Sequence, residues 1–264
     1  MKAFDFEYDG KNLSQFGFII CSFGSKGLDT VSNGSKISFN TVPILGGNIH
    51  RLTSAVYEEC LETTIQICKN SCNGDVMEIS SIEFRELTRW LNRKKFLKFK
   101  ILDEDYIDLY FEASFNINRV EIDGKLIGLE LEVITNRPFA LKEPKIISIK
   151  NTSANGKHSV NDDSYEEGYI YPYTEITVNQ DGELKITNAI ENRDTIIANC
   201  KRGETIIMDY PMIQSSNSSH DIQNDFNWNF FRLANTFENS RNDLTISIPC
   251  TIKVKYSPIV KVGL

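Results

Sequence analysis

An alternation of apolar and polar residues between positions 107 and 137 constrains the fold more than any other feature of this chain. It continues well beyond the usual strand of about 5–6 residues. Asp123-Gly124 supplies the left-handed conformers of a two-residue turn, after which the alternation resumes. The pattern predicts one long amphipathic β-hairpin, too long for a single small core and expected to pack against neighbouring subunits as well. Its apolar positions are Ile107, Leu109, Phe111, Ala113, Phe115 and Ile117, then Ile127, Leu129, Leu131 and Val133.

A change of phase within this hairpin predicts a β-bulge. A two-residue turn pairs Ile122 with Lys125, and the apolar positions of the first strand change from odd to even numbers after Ile117. One extra residue at Asn118-Arg119, opposite Gly128, would account for the change, because glycine within a strand often marks a bulge. The expected neighbours are Ile117 with Leu129 and Phe115 with Leu131.

One helix is predicted in the first half of the chain. Ser80 and Glu83 form a capping box, in which each side chain satisfies a backbone N–H of the other residue. The helix ends near Asn92-Arg93, and its apolar stripe is expected to comprise Ile82, Leu87, Trp90 and Leu91. Alternating residues predict strands at 4–8, 16–20, 37–39, 61–67 and 97–101, with loops at Gly24 to Ser35 and Leu45 to Leu52.

The second half of the chain is predicted to be a β-sandwich. Pro138 and Pro144 bracket a short link, so the expected domains are residues 1–140 and 141–264. About eight short strands with regular turns and no useful helical period are typical of a sandwich. Pro249 interrupts the final alternation, which predicts an edge strand or a break between two strands. The chain is therefore mostly β: an N-terminal β-sandwich-like domain with one α-helix and the long hairpin, then a C-terminal β-sandwich.

Composition excludes several classes of protein. The net charge of −7 argues against a surface that grips nucleic acid. No apolar run is long enough to cross a bilayer. The N-terminus Met1-Lys2-Ala3-Phe4-Asp5 lacks the regions of a signal peptide, so the chain is expected to stay in the cytoplasm of its producer.

No catalytic, cofactor or metal site is predicted. The sequence has no nucleophile motif, phosphate loop or dinucleotide fingerprint. His50, His158 and His220 stand alone, so they complete no zinc pattern. The cysteines are expected to be buried or incidental thiols: Cys21, Cys60, Cys68, Cys72, Cys200 and Cys250.

Three clusters have a functional and a structural interpretation. Arg93-Lys94-Lys95, with Lys98 and Lys100, could bind nucleic acid, but Phe99 points away from the lysines and a solvated strand face is favoured. Asp162-Asp163 and Glu166-Glu167 could bind calcium, but their spacing favours a mobile acidic loop. Aromatic residues could stack on a sugar, although strand aromatics are more often core. They are Trp228, Phe230 and Phe231.

The order of these parts resembles the distal tail protein of long-tailed, siphovirus-type bacteriophages. The resemblance covers almost the whole chain and is carried by diffuse patterns. Where the family often has Gly-x-Asn before its last strands, this chain has Ser240-Arg241-Asn242-Asp243. The segments that carry the resemblance are Phe16-Gly17-Phe18, 108–113, Arg137-Pro138-Phe139-Ala140, 168–172 and Tyr256-Ser257-Pro258.

The resemblance implies a structural, non-enzymatic role in the virion. A tail-tube-like N-terminal domain would form a hexameric ring, and a galectin-like C-terminal sandwich would project outward. The ring would join the tail tube to the baseplate hub, leave a channel for DNA, and assemble in the bacterial host cytoplasm. The implied partners are further copies of this chain, the tail tube protein, the tape-measure protein and a hub or tail-associated protein, with no membrane and no specific nucleic acid. The alternative is a carbohydrate-binding module on a host-recognition device, using the C-terminal sandwich.

Overall fold

A computed structural model describes residues 3–23, 36–70 and 77–262 of the chain. These residues form two compact units, one up to Leu141 with the residues from Val260 onward, and the other from Lys142 to Ile259. Each unit has its own hydrophobic core. No helix among the described residues is long and apolar enough to span a membrane. The predicted loop Gly24 to Ser35 and Cys72 lie outside the described residues.

The first unit is built on one large sheet and one helix. Along the main sheet the strands run in the order β2-β1-β7-β8-β9-β6-β3, with β10 also pairing with β8, while β4 and β5 form a separate two-stranded sheet. The elements are β1 (Phe6–Tyr8), β2 (Lys11–Asn12), β3 (Phe18–Cys21), β4 (Ile37–Pro43), β5 (His50–Tyr57), β6 (Glu62–Lys69), α1 (Ser81–Leu91), β7 (Leu97–Ile101), β8 (Leu109–Ile122), β9 (Lys125–Thr135) and β10 (Ala140–Lys142), with 3-10 turns at Leu13–Phe16 and Glu104–Tyr106.

Helix α1 begins at the predicted capping box. The Ser80 hydroxyl accepts a hydrogen bond from the Glu83 N–H, and the Glu83 carboxylate accepts one from the Ser80 N–H. Leu87, Trp90 and Leu91 are buried as predicted, but Ile82 is 70% exposed. Ile82 was wrongly placed because it lies five residues before Leu87, about 140° around a helix that turns 100° per residue.

The long hairpin is present, and its predicted turn is confirmed. Ile122 pairs with Lys125, and Asp123 and Gly124 have φ values of 51° and 77°. The predicted bulge is on the wrong strand. Val120 pairs with Gly128 and Glu121 with Leu126, so the extra residue is Ile127 on β9. The cross-strand pairs on the core-facing side of the hairpin are therefore Ile117 with Leu131 and Phe115 with Val133.

The adjacent apolar residues Leu126 and Ile127 were the overlooked signal for this bulge, because they mark a phase change on the return strand itself. Most of the hairpin's apolar face lies in the core of its own unit. Ile107 and Ile122, at the ends of the pattern, remain exposed. Contacts with neighbouring subunits would therefore have to come mainly from other surfaces.

Strand β5 was not predicted, because its first residues fall in the expected loop Leu45 to Leu52. It pairs with β4 in an antiparallel hairpin that contains an irregularity at Asn40/Thr41. The residues of this hairpin are almost all exposed, so they carry no core-facing alternation that sequence reasoning could detect.

The second unit is the predicted β-sandwich, which confirms a mostly β chain. A five-stranded sheet has the order β11-β21-β14-β17-β18 and a four-stranded sheet the order β12-β20-β15-β16, while β13 pairs with β19. The gap between β20 and β21 contains Pro249, which confirms a break between two strands. The elements are β11 (Lys145–Asn151), β12 (Gly156–Asn161), β13 (Gly168–Ile170), β14 (Tyr173–Val178), β15 (Gly182–Asn188), β16 (Arg193–Cys200), β17 (Thr205–Asp209), β18 (Met212–Ser215), α2 (Ile222–Asp225), β19 (Leu233–Asn235), β20 (Arg241–Ile246) and β21 (Cys250–Tyr256). The last strand, β22 (Ile259–Val260), pairs with β10 in the main sheet.

Position 128 requires glycine, because neighbouring atoms approach its backbone too closely to leave room for a side chain. A Cβ atom at this position would lie 2.1 Å from the Phe23 ring and 2.9 Å from the Ile67 carbonyl oxygen. We therefore expect Gly128→Ala to lower the free energy of unfolding by about 1–3 kcal/mol, as measured by chemical denaturation. Gly47→Ala is the control, because a Cβ there meets only Ile44 atoms at 3.7 Å or more and should change stability by less than about 0.5 kcal/mol. Equal effects of the two substitutions would contradict this account.

Candidate interaction surfaces

The basic cluster of the first unit lies on a face of mixed charge. Arg93 Nη2 is 3.6 Å from Asp9 Oδ2, and Lys98 on β7 pairs in register with Glu112 on β8. The Lys98 ammonium also lies 4.7 Å from the centre of the Tyr110 ring. Phe99 is buried on the opposite face, as predicted. Arg93 and Lys98 therefore have acidic neighbours, which disfavours a continuous basic surface for nucleic acid at this cluster.

The cysteines that the structure describes are free thiols, and Cys200 and Cys250 are fully buried. Burial raises the pKa of Cys200 to about 11 and that of Cys250 to about 12. Burial and the nearby Cys68 thiol likewise raise the pKa of Cys21 to about 12. These groups are poor nucleophiles, because the thiolate is the reactive form. Within the described ranges, no three His, Cys, Asp or Glu side chains are grouped to hold a metal ion.

The acidic stretch at 162–167 is partly fixed in place. Asp162 is buried, and its carboxylate accepts hydrogen bonds from the Ser164 N–H at 3.1 Å and the Ser164 hydroxyl at 2.7 Å. Asp163 forms an ion pair with Lys145 at 2.6 Å. The expectation of a wholly mobile acidic loop was therefore wrong, because Asp162 acts as a buried acceptor that shapes its own turn.

The β4–β5 hairpin, which we call the arm, exposes many large apolar side chains on the surface of the first unit. Its base is closed by an ion pair between Lys36 and Glu58 at 2.6 Å. Leu45 at its tip is fully exposed and Ile49 is 67% exposed. An isolated two-stranded hairpin is marginally stable in water, and clustered exposed apolar residues mark interaction sites. The other large apolar side chains exposed on the arm are Ile37, Phe39, Val42, Ile44, Leu52 and Val56.

A second surface of the first unit is the polar face of its main sheet. Glu132 on β9 accepts hydrogen bonds from Asn116 at 3.3 Å and Asn118 at 3.1 Å on β8. Glu130 accepts one from Gln66 on β6 at 3.0 Å. The opposite face of these strands is the apolar core. The strand alternation thus presents carboxylates and amides together on one side of a rigid sheet.

A row of aromatic side chains runs across the second unit. Tyr171 stacks on Tyr210 with centroids 4.3 Å apart, Tyr210 meets Phe230 edge-on at 5.3 Å, and Phe230 lies 6.4 Å from Trp228. Trp228 is 55% exposed, but Phe230 and the predicted Phe231 are buried. Phe230 and Phe231 thus belong to the core, which is the interpretation that the sequence favoured, and Trp228 and Tyr210 are the exposed aromatic residues of the row. The contact between Tyr171 and Tyr210 could not be predicted from local sequence patterns, because the two residues are far apart along the chain.

Arg232 contacts Tyr171 at one end of this row. Its Nε is 3.0 and 3.1 Å from the two carboxylate oxygens of Glu191, and Nη1 donates to the Tyr171 hydroxyl at 3.0 Å. The guanidinium carbon lies 3.6 Å from the centre of the Tyr169 ring. The hydrogen bond with Glu191 raises the pKa of Arg232, so the guanidinium stays charged. A bidentate, stacked arginine of this kind fixes the neighbouring rings.

Comparison with known proteins identifies the family. A model described as a phage tail protein N-terminal domain matches residues 1–137, and one described as a phage tail C-terminal domain matches residues 139–256. No curated protein matches the sequence. The crystal structure of Dit from phage SPP1, described as a paradigm of the hub adsorption apparatus in phages that infect Gram-positive bacteria, is similar with a TM-score of 0.64. The two chains are 13% identical, and the match covers 97% of this chain and 99% of SPP1 Dit.

The chain belongs to the family of phage tail proteins, because the two family models together match residues 1–137 and 139–256. It has the two-domain β fold of SPP1 Dit, a distal tail protein of a siphophage. The chain is thus a virion component, as the resemblance implied.

We expect Arg232→Met to lower the stability of the second unit by about 3–5 kcal/mol, because it leaves the Glu191 carboxylate, which is 10% exposed, without its cation. Chemical denaturation with several probes would measure the change. Arg241→Met is the matched control, since its ion pair with Asp243 at 2.9 Å is mostly exposed and should contribute at most about 1 kcal/mol. A neutral Arg232→Met would contradict the role assigned to the pair.

Proposed function

We propose that this protein forms a hexameric ring at the tail tip, joining the tail tube to the baseplate hub and leaving a channel for DNA. The arm is the observation that carries the proposal, because its apolar side chains have no core of their own. Membership of the phage tail family supports a location in the phage tail. The sixfold count rests on the resemblance to distal tail proteins.

The arm suits a contact that closes a ring. Its strands pair with each other and, within the described residues, with no strand of the main sheet. Burying its apolar side chains against another copy would supply stabilisation at about 25 cal/mol per Å² of apolar surface. An arm on one copy and a different receiving surface on the next make a head-to-tail interface, which generates a closed ring when the rotation fits.

The carboxylate-bearing face of the main sheet suits the lining of the channel. Glu130 and Glu132 accept hydrogen bonds from amide side chains, which carry no charge, and no ion pair with a described lysine or arginine neutralises them. DNA carries a dense negative charge and binds surfaces that replace its counterions with cations. An acidic wall would therefore let DNA slide past without holding it, in agreement with the net charge of −7.

We assign the ring to the domain of residues 1–140 and an outward-facing role to the sandwich of residues 141–264. The tail tube protein would occupy one face of the ring and a hub or tail-associated protein the other, while the tape-measure protein ends at the ring. Assembly would take place in the host cytoplasm, and the role requires no enzymatic activity or cofactor. SPP1 Dit, which is described as part of a hub adsorption apparatus, supports this arrangement.

A carbohydrate-binding module is the second candidate function, and the exposed aromatic row of the second unit favours it. Trp228 and Tyr210 present open ring surfaces of the kind on which sugars stack. The two candidates differ in what assembly requires. A ring that forms equally well with and without glycan supports the first, whereas a ring or a Trp228 fluorescence change that depends on glycan supports the second.

Replacing apolar residues at the arm tip should abolish the ring. We expect Leu45→Ser with Ile49→Ser to shift the assembly to monomers in mass photometry and electron microscopy, because the apolar surface that drives association is lost. The melting temperature of the monomer should not change, since both side chains are exposed.

Ile146→Ser is the matched control for the arm, because Ile146 is as exposed as Ile49 but lies on β11 of the second unit. It should leave the ring intact. A ring that survives both tip substitutions would refute the role of the arm. A wild-type chain that stays monomeric even with the tail tube protein present would refute the ring itself.

Reversing charge on the sheet face should create DNA binding. We expect Glu130→Lys with Glu132→Lys to retain DNA in a gel-shift assay at low salt and to release it as salt rises, whereas the wild type retains none. Glu86→Lys with Glu104→Lys makes the same change of charge at exposed positions outside that face and should bind much more weakly. Equal binding by the two double variants would show that net charge alone, and not the sheet face, governs passage.

A further inference from the structure

A groove on the outer face of the four-stranded sheet of the second unit shares no residue with the arm or the aromatic row. It has a volume of about 430 Å³, a size typical of pockets for small ligands. Its side chains come mainly from β12 and β20, which pair in register along their whole length. The side chains that define it are Lys157, Ser159, Ala189, Arg241, Asp243 and Thr245.

The alternation of the two strands explains the shape of the groove. Val160 on β12 and Leu244 on β20 are buried in the sandwich core, so the residues next to them along each strand point outward. The register places Ser159 beside Asp243, and the N–H of Ala189 donates to the Asp243 carbonyl at 2.9 Å. Because Ser159 and Ala189 have small side chains, Asp243 lies on the floor of the groove.

A cation stands at each end of the groove. Lys157 pairs in register with Thr245, four residues from Arg241 on β20, so the two cations are about 14 Å apart along the strands at about 3.4 Å per residue. Arg241 Nε lies 2.9 Å from Asp243 Oδ1, which leaves the two Nη groups for a ligand. Two cations and one carboxylate give the groove a net charge of +1, whereas that of the whole chain is −7.

Polar groups of the groove are unpaired, in contrast to those on the other half of the same sheet face. On β15 and β16, the Thr187 hydroxyl donates to Asp194 at 2.7 Å, and Lys185 Nζ lies 2.8 Å from the same carboxylate. Among the residues that the structure describes, the Lys157 ammonium and the Ser159 hydroxyl form no hydrogen bond or ion pair. The donors of the groove are therefore available to a ligand.

Asp243 decides which kind of anion the groove accepts. A carboxylate on the floor repels a ligand that offers only negative oxygens, such as inorganic phosphate, but it accepts hydrogen bonds from hydroxyl groups. The cations at the two ends form charge-assisted hydrogen bonds with carboxylate or phosphate oxygens. The described residues that line the groove include no Phe, Tyr or Trp, so ring stacking does not contribute. A sugar that carries a negative group meets all of these requirements.

We propose that this groove binds an acidic carbohydrate, a sugar chain that carries carboxylate or phosphate groups. Lys157 and Arg241 hold the negative groups, and Asp243 accepts hydrogen bonds from the hydroxyls between them. The separation of the two cations suits a chain of sugar units rather than a single ion. This site goes beyond the proposed ring and does not require it, and it differs from the aromatic row in both position and ligand charge.

Saturation-transfer NMR on the full chain tests the groove, because it detects weak binding to monomers and rings alike. Two matched pairs of probes differ in charge: trehalose 6-phosphate with trehalose, and digalacturonate with galactobiose. We expect the acidic member of at least one pair to bind, and its neutral partner to bind at least about tenfold more weakly. The pair that shows this difference identifies phosphate or carboxylate as the recognised group. Binding should weaken as salt rises.

Substitutions at exposed positions locate the site. Lys157→Ala should raise the Kd of the acidic sugar at least about fivefold, because it removes a charged donor. Arg241→Met should act in the same direction. Lys185→Ala is the matched control, since it removes a lysine from the same sheet face whose ammonium is paired with Asp194 outside the groove. It should change the Kd by less than about twofold.

Several results would overturn the proposal. They are a lack of binding by every acidic probe, equal binding of acidic and neutral sugars, and inorganic phosphate binding as tightly as the acidic sugars. Equal effects of Lys157→Ala and Lys185→Ala would also refute the groove as the site. Trp228→Ala should leave the Kd of the acidic sugar unchanged, and a loss of binding in that variant would assign the ligand to the aromatic row instead.

Discussion

The packing of Trp90 against the sheet is the contact on which the architecture of the first unit depends. Its ring stacks on Phe16 at 4.4 Å and on Phe6 at 5.8 Å, and its indole N–H donates to the Tyr8 carbonyl at 3.0 Å. These contacts seat α1 on one face of the sheet, so that face becomes core and the other is left to solvent or partners. A polar sheet face is thereby available for a channel wall, because the helix already covers the apolar one.

The arm shows the opposite arrangement, in which apolar residues are left without a core. A domain that buried Leu45 and Ile49 itself would gain stability but lose the means to recognise a neighbour. Leaving these side chains exposed costs the first unit little stability, because they take no part in the core around Trp90. In the proposed ring, assembly and folding depend on separate sets of residues in the first unit, which is why substitutions at the arm tip can separate them experimentally.

Local signals in the sequence predicted the parts of the fold that depend on local physics. The Ser80 capping box, the Asp123-Gly124 turn and the break at Pro249 each follow from backbone requirements of adjacent residues. The bulge was placed on the wrong strand because the phase change at Leu126-Ile127 on the return strand was overlooked. Strand β5 escaped notice because strand patterns arise from burial, and the arm has none.

The contacts of His220 with Glu204 and Asp225 were hidden from sequence reasoning for a related reason. His220 is isolated in the sequence, and nothing near it along the chain indicates two carboxylates. Glu204 reaches it only because the β17–β18 hairpin returns Ser215 beside Glu204, and Asp225 only because α2 turns back toward β16. A lone histidine in a sequence is thus uninformative until the topology supplies its neighbours.

The second unit relies on buried polar groups to a degree that the first does not. Asn242 is fully buried, and its side chain accepts from Ala234 N–H at 2.8 Å and donates to the Ala234 carbonyl at 3.0 Å. This fixes β19 against β20, and β19 in turn pairs with β13, which carries Tyr169. Hydrogen bonds of this kind have strict geometry, whereas apolar contacts tolerate sliding. The aromatic row is therefore held in register at the end that contains Tyr171 by buried amides and by the bidentate contact of Arg232 with Glu191.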